Sequence, residues 1–169
     1  MTTALSQTIM IRSAIRMTVS TVYIDIFDYM RCDAWVNPIN TVGVMGAGLA
    51  KQFADRFPGM LEFYQQFCVA GLIEIGKLYV FKITEDCPFE HPKYIILFPT
   101  KKHWKNPSKY EYLTAGFEIL EEKCKKLGIS RVAMPKLGCG LGGLDWGKVF
   151  KMIRERFTDS DLQVILCLI

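Results

Sequence analysis

Histidine is scarce in this chain, with two in 169 residues (His91 and His103), and the six cysteines include no Cys-x-x-Cys pair. The usual closed zinc site, built from closely spaced Cys and His ligands, is therefore excluded, and no metal is expected. Long apolar runs are missing too. The longest, Tyr94 to Phe98 and Val164 to Ile169, fall far below the roughly 18 residues of a membrane-spanning helix, so no membrane association is expected. No internal repeat, low-complexity tract or domain linker interrupts the sequence. The excess of basic over acidic residues is small, 21 against 17, and the resulting net charge of +4 permits an anionic partner without requiring one.

What is present is enough apolar material for one core. At 50% hydrophobic residues, a chain of this length can fold as a single domain without disulfides or metal. Cys32, Cys68, Cys87, Cys124, Cys139 and Cys167 are then expected as reduced thiols in a reducing, cytoplasmic compartment, and the chain as a monomer. The first 16 residues, MTTALSQTIMIRSAIR, hold two Arg and no acid. They are expected to form an extended or disordered leader, a weak targeting peptide being the alternative, with Met17 able to serve as an internal start.

Alternation and β-branched residues predict strands at Thr18 to Ile26, from Ala34, at Lys77 to Ile83, Arg131 to Met134 and Leu162 to Leu168. Tyr94 to Phe98, apolar throughout, predicts a central strand. Apolar spacing predicts a helix opening at Gly46 and carrying Leu49, Phe53 and Phe57 inward. A second, behind a Ser108–Glu111 capping box, carries Leu113, Phe117, Leu120, Cys124 and Leu127. A third, capped by Asp145, carries Val149, Ile153 and Phe157. Interleaved strands and helices predict an α/β fold with a mixed sheet covered on both faces.

Two glycine-rich segments each join a strand to a helix: Thr41-Val42-Gly43-Val44-Met45-Gly46-Ala47-Gly48, and Leu137-Gly138-Cys139-Gly140-Leu141-Gly142-Gly143-Leu144-Asp145. Glycines at such a junction let backbone amides approach an anion, and the helix start adds partial positive charge. One such loop fits phosphate binding and a plain tight connection equally well. Two of them, at the carboxyl ends of strands in one small domain, suit a ligand with two phosphates. Neither ends in Gly-Lys-Ser/Thr, and neither has the glycine spacing of a dinucleotide fingerprint.

On these residues the sequence resembles the macro domains, which bind ADP-ribose. DAWVNPIN resembles the approach to the family's first loop, GVMGAGLAKQF its ribose-binding loop and helix, and LGCGLGGLDW its diphosphate loop. The likeness runs from about Val19 to Ile169 and implies a three-layer α/β/α domain with about six strands. Phe98-Pro99-Thr100-Lys101-Lys102-His103-Trp104 resembles the lysine-dependent branch, which includes the DNA ADP-ribosyl glycohydrolase antitoxins of DarG type and the terminal ADP-ribose glycohydrolases. The antitoxin type is the nearer in motif, though its second, toxin-neutralising domain has no counterpart in the matched region.

The resemblance implies an activity that removes ADP-ribose from a modified substrate, first of all thymine in DNA. Glutamate esters on protein, ADP-ribose 1″-phosphate, or a non-enzymatic reader are the alternatives. It makes Lys101 the nucleophile, its amine attacking the anomeric carbon of the distal ribose. Burial or a cationic neighbour would have to lower a lysine's usual pKa of about 10.4 for this. It gives Asn40 a hydroxyl of that ribose and Asp25 the adenine amino group. Gly46, Ala47 and Gly48 would meet the distal ribose, and Gly138, Cys139, Gly140, Leu141, Gly142 and Gly143 the diphosphate. Cys139 is not expected to be a nucleophile, having no histidine tied to it by motif. The acid that some lysine-dependent relatives carry in the second loop is replaced by Gly142, leaving Asp145 or a bound water for proton transfer, or an arrangement like that of the DNA-directed antitoxins, whose loop is likewise GCGLGGLDW. ADP-ribose is the implied ligand or product, and no separate cofactor is expected. Four lysines with Trp104 and Tyr110 over Lys101 to Tyr110 add ADP-ribosylated single-stranded DNA as a candidate partner.

Overall fold

The computed structural model describes residues 17–169 apart from 85 and 89; the leader expected over 1–16 lies outside these. The described chain runs β1 (Val19–Val22), a 3-10 turn (Ile26–Asp28), β2 (Ala34–Asn40), α1 (Gly48–Arg56), α2 (Pro58–Val69), β3 (Tyr79–Lys82), β4 (Tyr94–Lys101), α3 (Tyr110–Lys126), β5 (Arg131–Met134), α4 (Trp146–Phe157) and β6 (Gln163–Cys167). The six strands form one sheet in the order β1-β6-β5-β2-β4-β3. All neighbours are parallel except β3, which returns antiparallel to β4. This is the mixed α/β sheet that the interleaved pattern predicts. No helix among the described residues is long and apolar enough to cross a membrane.

Side chains alternate between two cores, as the two-residue period of a strand requires. On one face Ala34, Val36, Ile96, Phe98, Val132 and Val164 pack with Phe117 and Leu120 of α3 and Val149, Ile153 and Phe157 of α4. On the other, Trp35, Ile39, Ile95, Leu97 and Ala133 pack with Phe53 of α1 and Met60 and Tyr64 of α2. Asp33 locks the amino end of β2 to β5 by accepting from Ser130 N (2.8 Å), Ser130 Oγ (3.0 Å) and Arg131 N (2.9 Å). With the strand starts fixed, the parallel strands deliver their carboxyl ends to one edge.

Four local features depart from the sequence expectations. β1 stops at Val22, because Asp25 turns back to accept from Phe27 N (2.8 Å) and starts the 3-10 turn. β4 continues through Pro99 to Lys101. Proline is tolerated there because β3 pairs with β4 only as far as Leu97, so Pro99 lies beyond the last rung on that side. α2 is an additional helix with Pro58 at its first turn. The Ser108–Glu111 capping box does not form: Lys109 is the N-cap, without a side-chain bond. Ser108 is instead drawn into the second glycine loop, its N–H donating to Gly142 O at 3.0 Å.

Candidate functional site

A cleft of about 740 Å³ opens along the carboxyl ends of the parallel strands. Asp25 lines it beyond β1 and Lys136 and Gly138 beyond β5, while Cys167, Asn40 and Lys101 line it as the last residues of β6, β2 and β4. Four strand spacings of about 4.8 Å separate β1 from β4, so the trough is roughly 19 Å long. Ligands of open α/β sheets bind in this place, outside the carboxyl ends.

The first loop is anchored through Asn40, which is 6% exposed. Its Oδ1 accepts from Val42 N (3.0 Å), Val44 N (3.3 Å) and Tyr64 Oη (2.8 Å), while Nδ2 donates to Val44 O (2.5 Å). Tyr64 in turn accepts from Gly43 N at 3.1 Å. Asn40 is thus a turn residue in full, yet it lines the cleft with one amide hydrogen to spare. α1 then starts at Gly48 (φ +58°) after Ala47, with no capping side chain. The first amides of the helix, which no carbonyl within it can satisfy, are therefore available to an anion.

The second loop is packed more tightly. Gly138 has φ +71°, and its carbonyl accepts from Leu144 N at 3.0 Å. A Cβ at Gly142 would collide with the Gly138 carbonyl and with Ser108 Oγ. A side chain at 142 would therefore have to displace the Gly138 carbonyl and the loop around it. Asp145 caps α4, its Oδ1 accepting from Lys148 N (2.9 Å), and stands outside the cleft lining. The two loops approach each other at Gly48 and Leu141, where a Cβ on Gly48 would stand 3.4 Å from Leu141 Cδ1.

Lys101 closes one end of the trough. Its Nζ donates to Leu141 O (2.7 Å) and Trp104 O (3.4 Å). Partial burial lowers its pKa from the ordinary 10.5. This is the direction a nucleophilic amine requires.

Of the residues singled out from sequence, Asp25, Asn40, Gly46, Ala47, Gly48, Lys101, Gly138, Gly140, Leu141 and Gly142 all line the cleft. Cys139 and Gly143 do not. Cys139 donates to Leu137 O (3.3 Å), and burial, with Asp145 next, pushes its thiol pKa upward. Gly143 N closes a turn on Gly140 O at 3.1 Å. Sequence reasoning missed Lys136, which lines the cleft just ahead of the glycine run. It also missed Tyr64, for which no motif gives a signal, and misassigned Ser108.

A family model for the Macro domain matches residues 36–153, spanning both loops and the lysine between them. The chain belongs to the macro domain family. Among solved macro domains, that of Mycobacterium tuberculosis DarG superposes with a TM-score of 0.82 at 39% identity, over 88% of this chain and 96% of that one. The Thermosipho africanus DarTG structure in complex with ADP-ribose superposes at 0.83 with 36% identity, over 90% of this chain and 42% of that one. Among curated sequences, the DNA ADP-ribosyl glycohydrolase of M. tuberculosis is 45% identical over 132 residues, 77% of this chain. The matched macro domain spans 37% of that relative's length. The three-layer macro domain fold expected from the motifs is the fold observed.

Proposed function

We propose that this macro domain is an ADP-ribosyl glycohydrolase that releases ADP-ribose from ADP-ribosylated thymine in single-stranded DNA, with Lys101 as nucleophile. The observation that carries the reading is the pairing of a partly desolvated Lys101 amine with Asn40 at one end of a trough floored by two glycine loops. The ADP-ribose complex of the Thermosipho relative and the name of the M. tuberculosis relative support ligand and substrate.

In this arrangement the free amides at the start of α1 and the Gly138 to Gly142 backbone hold the diphosphate. Asp25, whose Oδ1 is engaged by Phe27 N, offers its other oxygen to the adenine amino group. Asn40 holds a hydroxyl of the distal ribose, placing the anomeric carbon before Lys101. The neutral amine forms a bond to that carbon as the bond from carbon to thymine nitrogen breaks, and the base leaves with the electron pair and takes up a proton. Water then displaces the lysine nitrogen, releasing ADP-ribose and restoring the amine. Holding the reacting carbon against the amine is the principal service of the fold.

The test is release of free ADP-ribose by the wild-type protein from three substrates in parallel: an ADP-ribosylated thymine oligonucleotide, glutamate-modified protein and ADP-ribose 1″-phosphate. Release from the oligonucleotide at a kcat/KM well above the other two is expected. Release from protein alone would move the activity to ester hydrolysis at the same anomeric carbon, and tight ADP-ribose binding with no release from any of them would leave a reader.

A further inference from the structure

Beyond the catalytic lysine the chain turns through a segment that the chemistry above does not use, and this segment holds Trp104. Its side chain is 48% exposed although it lines the cleft. At the rim of the cleft this leaves an aromatic face open to solvent, where a flat apolar group can stack on it. The ring is held in place: His103 stacks against it, centroids 5.5 Å apart at 27°, and Lys105 Nζ stands 5.0 Å from its centroid. The Trp104 carbonyl accepts from Lys101 Nζ at 3.4 Å, so the platform stands next to the amine.

Its position in the trough identifies what would cover it. Asp25 marks the β1 end and Lys101 the β4 end, so a ligand whose anomeric carbon meets Lys101 directs its leaving group out past Trp104. From Lys102 to Tyr110 the segment contains three lysines, at 102, 105 and 109, and no acid. An aromatic face among cations is the composition that takes up single-stranded nucleic acid, by base stacking and phosphate attraction together.

We propose that Trp104 is a stacking platform for an unpaired base of the single-stranded DNA that carries the modification, with Lys102, Lys105 and Lys109 attracting the phosphates of the same strand. The proposal rests on the DNA reading of the site and adds the surface that distinguishes a strand from a lone nucleotide.

Two measurements on the full chain test it, using Trp104→Ala and the conservative Trp104→Phe. The first is the ratio of kcat/KM for a modified oligonucleotide to that for ADP-ribosyl-thymidine. It is expected to fall about tenfold in Trp104→Ala, the scale of one lost base stack, and to be largely restored in Trp104→Phe. An unchanged ratio would overturn the proposal. The second is quenching of tryptophan fluorescence by unmodified oligothymidine. Trp35 is 2% exposed and Trp146 packs against the α3–α4 core, so the quenching should be salt-sensitive and lost in Trp104→Phe; quenching that persists there would also overturn it. Should the wild type release nothing from either DNA substrate, the glycohydrolase reading fails while the quenching still decides the platform.

Discussion

Asn40 of β2 and Lys101 of β4 are register partners, brought opposite each other by an irregularity that slips the pairing by one residue after Ile39 and Pro99. Without the slip Asn40 would face Thr100. Because successive strand residues point to opposite faces, a one-residue slip next to a site is a way to re-aim a side chain. Here it joins the residue that shapes the first loop to the residue that carries the amine.

The loop side of this pairing depends on Tyr64, fully buried and hydrogen-bonded to Asn40 Oδ1 and Gly43 N. Tyr64→Phe removes a hydroxyl without changing the ring, and leaves Gly43 N unsatisfied. A loss of about 1–3 kcal/mol in stability is expected, together with weaker ADP-ribose affinity, since the loop amides lose their reference point. Denaturant titration and calorimetric binding check both. An unchanged midpoint and affinity would show that Asn40 holds the loop unaided.

Catalysis should depend on pH through Lys101. Burial lowers its pKa from 10.5, and only the neutral amine is nucleophilic, so kcat/KM is expected to rise with pH and level off at an apparent pKa below 10.5. The same shift has a sign for stability. A lysine with its folded pKa below the unfolded one disfavours the fold while protonated, and that cost fades as pH rises from the folded pKa towards 10.5. A kcat/KM profile flat from neutral to alkaline pH would contradict an amine nucleophile.

Gly142 and Gly140 should respond differently to the same change. A Cβ at 142 meets the Gly138 carbonyl and Ser108 Oγ, whereas one at 140 meets nothing within 4 Å. Neither has a positive φ, so the contrast isolates space from backbone conformation. Gly142→Ala is expected to weaken ADP-ribose binding by displacing the loop from Ser108, and Gly140→Ala, whose Cβ meets no neighbour, to weaken it less. Titration with ADP-ribose checks both, and equal affinities would show that the second loop is more pliant than its contacts imply.

Much of this was legible in the sequence where a period or a motif had a single physical meaning. β5 over Arg131–Met134 and α4 behind Asp145 stand where strand alternation and an Asx cap put them, and both glycine loops lie beyond strand ends on the cleft. α2 was not legible: Met60, Leu61, Phe63, Tyr64, Phe67 and Cys68 are apolar on several sides, since the helix packs on the core and on β3 at once, and the helical stripe disappears. Ser108 misled because a Ser three residues before a Glu has the form of a capping box, and only the long-range bond to Gly142 O shows otherwise. Tyr64 and the register slip at Asn40 are tertiary facts, carried by residues far apart in the chain.

Lys101→Ala, measured for both ADP-ribose binding and ADP-ribose release from a modified oligonucleotide, separates a nucleophilic lysine from one that only holds the loop. Binding within a few fold of wild type is expected, with release slowed by about a hundredfold or more, the pattern of a group that acts in the transition state rather than in ground-state affinity. Release at the wild-type rate would show that Lys101 only holds Leu141 O, and that the bond to ribose is broken by another group.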